Sequence, residues 1–360
     1  MRRYLLGAIL FAVLLGVAYW LLRPATPAVR EQVYIFERKA IVWNRLATVR
    51  EPAASLRYGD RVGIMESRQW TGSDYVRVLA PGGVIGWMDA KQLMPADLWQ
   101  RALGNLEKAK SMPVQARGKT KVLTNLRVEP GRSAPRSFQF GRDVTLDILA
   151  RAVVELPAEE SAAAKKTEEP VAEQPAGPRR EDWLFVRGSD ADAGDLAGWV
   201  LGRFLELDLP EPLRDYAAGI RFLAWFELNR VPAVKEEISA EDKPEAGAPA
   251  RQPATLPQYL AAGVAGGEGQ PCDFTLLRFY TWNLERRRYE TAYIESNFCA
   301  RLPLLVTPAP SGVPFDRAEA SFRFTALVSS KRGSPVTAAA EEIREYRMKQ
   351  NVVRRLRVKK

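Results

Sequence analysis

The sequence contains no histidine and only two cysteines, Cys272 and Cys299. Without histidine the chain can build neither a Ser-His-Asp nor a Cys-His catalytic group, nor a histidine-ligated metal site. Two cysteines are too few for a four-thiolate zinc or iron–sulfur site. These absences exclude many common enzyme designs, and we expect no catalytic residue, no cofactor and no metal site.

The length and composition of the chain are typical of a multi-domain protein with hydrophobic cores. The chain has 360 residues, of which 46% are hydrophobic, and this length favours about two or three domains. The net charge of +10 is typical of a protein with an anionic partner, such as lipid head groups, wall polymers or nucleic acid. An arginine excess in a chain rich in Ala and Pro also arises from biased base composition, and we do not expect nucleic acid to be the partner.

The amino-terminal segment predicts a membrane anchor. After Arg2 and Arg3, the run Tyr4–Leu22 contains no charged residue and at about 1.5 Å per residue can just span a hydrocarbon core of about 30 Å. A cleaved signal peptide is the alternative, but Pro27 interrupts the small-residue site that cleavage needs. We therefore interpret residues 1–32 as an uncleaved signal anchor, one transmembrane helix, and a linker.

Orientation follows from charge. Arg2 and Arg3 favour a cytoplasmic amino terminus, which places the body outside the cytoplasm as a single-pass protein of the cell envelope. The alternative has the body facing the cytoplasm, held by its charge on anionic lipid or nucleic acid.

An internal repeat follows the anchor. The first copy contains TVREP (48–52), LRYGDRV (56–62), YVRV (75–78) and GW (86–87). The second contains NLRVEP (125–130), FQFGRDV (138–144), WLFVR (183–187) and GW (198–199). Apolar residues around a turn glycine, then an alternating run, are typical of small β-barrels. Trp87 and Trp199 are predicted at equivalent core positions, since a small core needs a large apolar side chain.

These motifs resemble the bacterial SH3 family, in which an Asn-[Val/Leu]-Arg-x-x-Pro opening precedes [Leu/Phe]-x-x-Gly-x-x-Val and a closing Gly-Trp. The second copy matches the opening fully, whereas the first is one residue shorter and has Thr48 in place of the asparagine. The resemblance implies compact five- or six-stranded barrels that bind cell-wall or other extracytoplasmic partners. It carries no binding residue over to this chain.

The repeat divides the chain into modules. The predicted order is barrel 1 at 33–95, a helical connector at 96–116, barrel 2 at 117–208, and a β-rich module at 209–360. An insertion at about 153–180 within barrel 2 and a linker at about 233–254 are rich in Ala, Glu, Lys and Pro, a composition that favours disorder.

The carboxy-terminal module has strand-like segments but no family resemblance. The predicted strands are 274–282, 288–294 after a turn at 283–287, 322–327 and 353–358, whereas 219–228 fits helix or strand equally. Cys272 and Cys299 flank the first predicted hairpin, whose antiparallel pairing would bring them within reach of a disulfide, as an oxidising compartment favours.

Other motifs are better explained by structure than by chemistry. Gly118-Lys119-Thr120 ends like a phosphate-binding loop but lacks its first glycine, and the acidic run 190–195 lacks the spacing of a calcium loop. Paired carboxylates such as Asp60 with Asp74, or Glu290 with Glu295, lie in no glycosidase-like pattern. The basic end, 344–360, is interpreted as a final strand with solvent-facing arginines.

The sequence therefore predicts an all-β protein of two SH3-like barrels and a β-rich module, preceded by one transmembrane helix. We expect a non-catalytic envelope protein that binds or organises peptidoglycan or another envelope protein. The alternative is a wall-targeted enzyme whose carboxy-terminal module is catalytic.

Overall fold

In the computed structural model, the described residues are 28–156, 179–217, 219–233, 255–328 and 340–356. This part of the chain is mostly β and contains three antiparallel sheets of seven strands each. It divides into two compact units, one ending at Trp99 and the other beginning at Gln100. The first unit holds the first sheet, and the second unit holds the other two.

The first and second sheets have the same strand order. The first contains β1 (Glu31–Ile35), β2 (Lys39–Trp43), β3 (Pro52–Arg57), β4 (Arg61–Trp70), β5 (Ser73–Leu79), β6 (Ile85–Asp89) and β7 (Leu93–Pro95), in the order β3-β2-β6-β5-β4-β1-β7. The second contains β8 (Ala116–Thr120), β9 (Thr124–Arg127), β10 (Arg136–Phe140), β11 (Thr145–Glu155), β12 (Arg180–Asp190), β13 (Gly194–Leu201) and β14 (Leu205–Leu207), in the order β10-β9-β13-β12-β11-β8-β14. The sequence repeat is thus a repeat of topology.

The third sheet is a simple meander. It contains β15 (Ile220–Pro232), β16 (Thr255–Ala265), β17 (Phe274–Asn283), β18 (Arg288–Thr307), β19 (Glu319–Val328), β20 (Ala340–Lys349) and β21 (Val352–Leu356), each paired with its neighbours in sequence. The segment that fitted helix or strand equally is strand β15. The strand predicted to end at Ile294 continues to Thr307 as β18, and β16 and β20 were not predicted.

Helices are few in the described residues. They are α1 (Ala96–Lys110), α2 (Glu211–Arg214) and short 3-10 turns at Pro81–Gly83, Ala90–Gln92 and Gly202–Phe204. None of them is long and apolar enough to cross a bilayer. Residues 1–27, which make up most of the predicted anchor and linker at 1–32, lie outside the described part of the chain. The same holds for 157–178 and 234–254, which make up most of the predicted insertion and of the second linker.

Alternation along the strands builds the cores. On β19, Ala320, Phe322, Phe324 and Ala326 are buried on one face, as the two-residue period of a strand requires. Phe322 and Tyr346 stack with ring centroids 4.8 Å apart, within the main core cluster of the third sheet. The first sheet has its own core, which contains Val76, Val78 and Met88 among others.

The close approach of a neighbouring backbone explains why both copies have glycine at the same position. A Cβ on Gly86 would lie 2.5 Å from the carbonyl oxygen of Trp43, and a Cβ on Gly198 would lie 2.6 Å from that of Arg127. Because the neighbouring strand passes so close, only glycine fits. The glycine of the Gly-Trp motif is therefore required by the sheet.

Candidate functional site

The two motif tryptophans occupy equivalent positions on their sheets. Trp87 pairs with Trp43, and Trp199 pairs with Arg127. Each lies next to a residue of the interior, Met88 in one copy and Val200 in the other, and neighbouring residues on a strand face opposite sides. The tryptophans therefore face away from Met88 and Val200, on the outer face of their sheets, where Trp87 is buried at 8% exposed and Trp199 is half-buried.

In the second copy this outer face is covered by helix α1. Trp199 and Phe185, with ring centroids 5.1 Å apart, pack with Leu106 and Ala109 of the helix in one cluster. Arg187 donates a hydrogen bond to the carbonyl of Ala109, at 3.2 Å. This face of the second sheet is therefore occupied by a helix of the same chain.

In the first copy the corresponding face carries a cluster of three rings around one arginine. Trp43 ends β2, Trp70 ends β4, and Tyr75 lies on β5, while Arg50 comes from the loop between β2 and β3. All four side chains are half-buried. We call Trp43, Arg50, Trp70 and Tyr75 the aromatic–arginine cluster.

Local backbone features place these residues. The loop that carries Arg50 is closed at its base, where Asn44 and Glu51 exchange two hydrogen bonds of 3.0 and 3.1 Å. A two-residue turn, Thr71 and Gly72, both with positive φ, joins β4 to β5 as tight hairpins require. The turn lets Trp70 meet Tyr75 edge to face, with centroids 5.5 Å apart.

Arg50 is held by the rings. Its guanidinium carbon lies 4.3 Å from the ring centroid of Trp43, 5.6 Å from that of Trp70 and 5.9 Å from that of Tyr75. These separations are within the range of cation–π attraction, up to about 6 Å. The sequence pattern does not predict this cluster, because its members are far apart in sequence and meet only through the strand order.

The surrounding arginines are paired with an acid. Glu66 lies 3.8 Å from Arg68 and 3.6 Å from Arg77. Arg68 also lies over the ring of Trp87, at 5.4 Å, and Trp87 is only 8% exposed. The charge of Arg50, in contrast, has no acidic partner among the described residues.

A second set of charged residues is buried in the second unit. The side chain of Arg151 is 0% exposed, and it pairs with Asp182 at 2.5 Å and with Asp273 at 2.9 Å. Arg221 also pairs with Asp182. Arg151 donates further to the carbonyl of Cys272, at 3.1 Å. These contacts join the second sheet to the segment before β17, and the buried ion pairs of Arg151 with Asp182 and Asp273 indicate a structural role.

Two other features support that junction. The Cα atoms of Cys272 and Cys299 lie 5.2 Å apart in a disulfide, which ties the segment before β17 to β18. Buried Gln115 accepts a hydrogen bond from the backbone of Leu304 at 2.8 Å through its side chain, and from that of Trp225 at 3.0 Å through its carbonyl. The second and third sheets thus form one packed body.

A cavity of about 340 Å³ opens beside this junction. Its walls are largely apolar and include Leu184, Leu205 and Phe222, with Arg221 at one side. Burial raises the pKa of nearby Glu268, and Arg203 partly opposes that rise. Arg221 is already engaged by Asp182, so we assign no ligand to this cavity.

The motifs rejected on sequence grounds have structural partners. Thr120 donates to the carbonyl of Gly141 at 2.7 Å, and Asp190 accepts from the backbone of Asp192 at 3.0 Å within a turn. Asp60 accepts from the backbone of Arg57 at 2.8 Å. Across the described ranges, no group of three or more metal-binding side chains is placed to hold an ion.

The carboxylate of Glu290 is held in its ionised form. Hydrogen bonds from Asn283, Arg286 and Arg288 lower its pKa to about 2. A group with so low a pKa does not donate a proton near neutral pH. At Glu295, Tyr293 donates at 2.9 Å and Arg344 at 3.0 Å, which leaves neither glutamate arranged as a catalytic acid.

Comparison with known proteins adds little. No family model and no curated protein matches this sequence. One similar solved structure is an NlpC/P60 family protein from Bacillus cereus ATCC 10987, with 12% sequence identity and a TM-score of 0.20. The match covers 51% of this chain and spans 58% of the length of that protein. A similarity of this size supports no conclusion about fold or function.

Proposed function

We propose that this chain is a non-catalytic, membrane-anchored protein of the cell envelope, and that its first two sheets are SH3-like barrels. In this proposal the first barrel binds a cell-wall polymer or another extracytoplasmic partner. The second barrel is built into the carboxy-terminal module and serves as its support.

The observation that carries the proposal is the difference between equivalent faces of the two copies. In the second copy, Phe185 and Trp199 are covered by helix α1. In the first copy, the same face holds the aromatic–arginine cluster, whose side chains stay half-buried. Aromatic residues and arginine are enriched at binding sites because they combine apolar area with directed polar contacts.

The SH3-like assignment has its own support. The two sheets share one strand order, and the Gly-Trp motifs lie at equivalent register positions, opposite Trp43 and Arg127. Close passage of a neighbouring strand explains Gly86 and Gly198, as expected where a small sheet bends over its own core. The motif resemblance and the shared topology therefore point the same way.

Co-sedimentation with purified peptidoglycan tests the function. The full chain in nonionic detergent is expected to sediment with the polymer, and Trp70→Ala is expected to weaken that binding at least tenfold, since a buried aromatic anchor contributes about 2 kcal/mol or more. Leu123→Ala is the matched control, because Leu123 is an exposed apolar residue of the second copy, at 66%. Equal binding by both variants, or no binding by the original chain, would contradict the proposal.

A further inference from the structure

The guanidinium of Arg50 is fixed in position but hydrogen-bonded to nothing in the described part of the chain. Its Nη1 is shielded from solvent and has no acceptor. Ring contacts with Trp43, Trp70 and Tyr75 hold it in place.

The rings leave a defined part of Arg50 available. Nε and Nη2 are not among the shielded nitrogens, so their hydrogens remain for an acceptor from outside. The N–H groups of Nε and Nη2 point in parallel and match the two oxygens of a carboxylate.

The pairing of the nearby arginines identifies Arg50 as the open cation. Arg68 and Arg77 both contact Glu66, whereas Arg50 contacts no acid among the described residues. The single charge of a carboxylate matches that of Arg50, and its two oxygens match a pair of N–H donors. The face of Trp43 is already covered by Arg50, at 4.3 Å, so it is not free to stack on a sugar ring.

The second copy lacks this arrangement. Arg127 stands where Trp43 does, and its Nη1 donates to the carbonyl of Ala134. Val154 stands where Trp70 does, at the same register of the equivalent strand pair. The open arginine is thus a property of the first copy.

We propose that the aromatic–arginine cluster binds the free carboxylate of a peptide, with Arg50 forming paired hydrogen bonds to its two oxygens. Trp43 and Trp70 hold the guanidinium, and the last side chains of the peptide lie against these half-buried rings. This deepens the proposed function, since it rests on the same face and names the chemistry of the ligand.

The test uses the full chain in nonionic detergent and two immobilised probes. Both are the same pool of random hexapeptides linked through their amino ends, one with free carboxyl ends and one with amidated ends. The chain is expected to bind the carboxylate surface at least tenfold more tightly. Equal binding to the two surfaces, or binding to neither, overturns the proposal.

Variants locate the effect at Arg50. Arg50→Gln is expected to abolish the tenfold preference, and Arg50→Lys to retain only part of it, because an ammonium lacks the planar fork. Arg45→Gln is the control, since Arg45 is an exposed arginine of the same loop, and it should keep the preference. Near-ultraviolet circular dichroism checks that each variant is folded, and a preference that survives in folded Arg50→Gln refutes the assignment.

Competition separates the sources of negative charge. Acetate is expected to displace the chain from the carboxylate surface at lower concentration than inorganic phosphate, and the reverse order overturns the choice of a carboxylate. The outcome is distinguishable from that of the peptidoglycan assay. If Arg50→Gln still sediments with peptidoglycan, the proposed binding to the cell wall is kept and the carboxylate ligand is refuted as its basis. If the chain prefers the carboxylate surface but does not sediment with peptidoglycan, the carboxylate ligand is kept and the proposed binding to the cell wall is refuted.

Discussion

Arg151 provides the sharpest test of how the second unit is held together. Its side chain is 0% exposed and pairs with Asp182 and Asp273, which are 1% and 12% exposed. Arg151→Met keeps most of the side-chain length but removes the charge. Asp182 then keeps Arg221 and the backbone of Gly269, whereas Asp273 keeps only the backbone of Leu302.

The loss of stability expected for Arg151→Met follows from this difference between Asp182 and Asp273. Removing one member of a buried ion pair costs about 3–5 kcal/mol, because the remaining charge stays buried without compensation. Since Asp182 retains Arg221, we expect about 3 kcal/mol, near the lower end of that range. Against a total stability of about 5–15 kcal/mol, such a loss is easily measured.

Urea unfolding followed by circular dichroism and tryptophan fluorescence measures this loss. The transition of the second unit should move to lower urea concentration, while that of the first unit stays in place. Arg323→Met is the control, because Arg323 and Glu345 are 3.8 Å apart and 58% and 40% exposed, a pair that contributes about 0–1 kcal/mol. If both variants lose the same small amount, the buried network does not stabilise the unit as argued.

Three further predictions concern single features. Denatured protein prepared without reductant should show no reactive thiol, and the double serine variant of Cys272 and Cys299 should lose about 3–4 kcal/mol of stability; two reactive thiols would refute the bridge. Gly86→Ala should destabilise the first unit by about 1–3 kcal/mol through backbone overlap, whereas Gly104→Ala, on an open helix surface, should stabilise by up to about 1 kcal/mol. The carboxyl of Glu290 should titrate by NMR near its pKa of about 2.

The Glu290 prediction has a defined pH window. Its folded pKa lies below the ordinary value of 4.5, so the stabilisation from its hydrogen bonds is present above that value and is lost as pH falls towards about 2. Asn283 is the largest cause of the shift. Asn283→Ala should therefore raise the pKa of Glu290, and a midpoint near 4.5 in the original protein would contradict the reasoning.

The repeat was predictable because its requirements are local. Gly86 and Gly198 each lie where a neighbouring carbonyl passes within 2.6 Å of a Cβ position, so both copies need glycine there. The positions of the adjacent tryptophans could be predicted, but not the face of the sheet on which their side chains lie. The sequence shows that a large apolar residue follows the glycine. Only the position of Met88 in the core of the first sheet shows that Trp87 lies on the opposite face.

Two strands of the third sheet could not be predicted, since their compositions favour other structures. β20 is AEEIREYRMK, a run of good helix formers, yet it pairs along its length with β19. β16 contains Pro257 and several alanines, which strands usually lack. In both strands, backbone pairing with the neighbouring strands outweighs the intrinsic preference of the residues for other secondary structure.

The aromatic–arginine cluster could not be predicted for a different reason. Its side chains come from β2, β4, β5 and a loop, and β6 lies between β2 and β5 in the sheet. No spacing in the sequence marks residues that meet across several strands. The strand order had to be known first.

The long hairpin of the second sheet also has a practical consequence. β11 and β12 stay paired up to Glu155 and Arg180, and the next backbone hydrogen bond joins Leu156 to Arg179 at 2.8 Å. The chain leaves and re-enters the sheet at adjacent points, and each doubling of the length between them adds only about 0.6 kcal/mol of closure entropy. A reporter domain or a protease site spliced in between these points would leave the ladder on both sides in register.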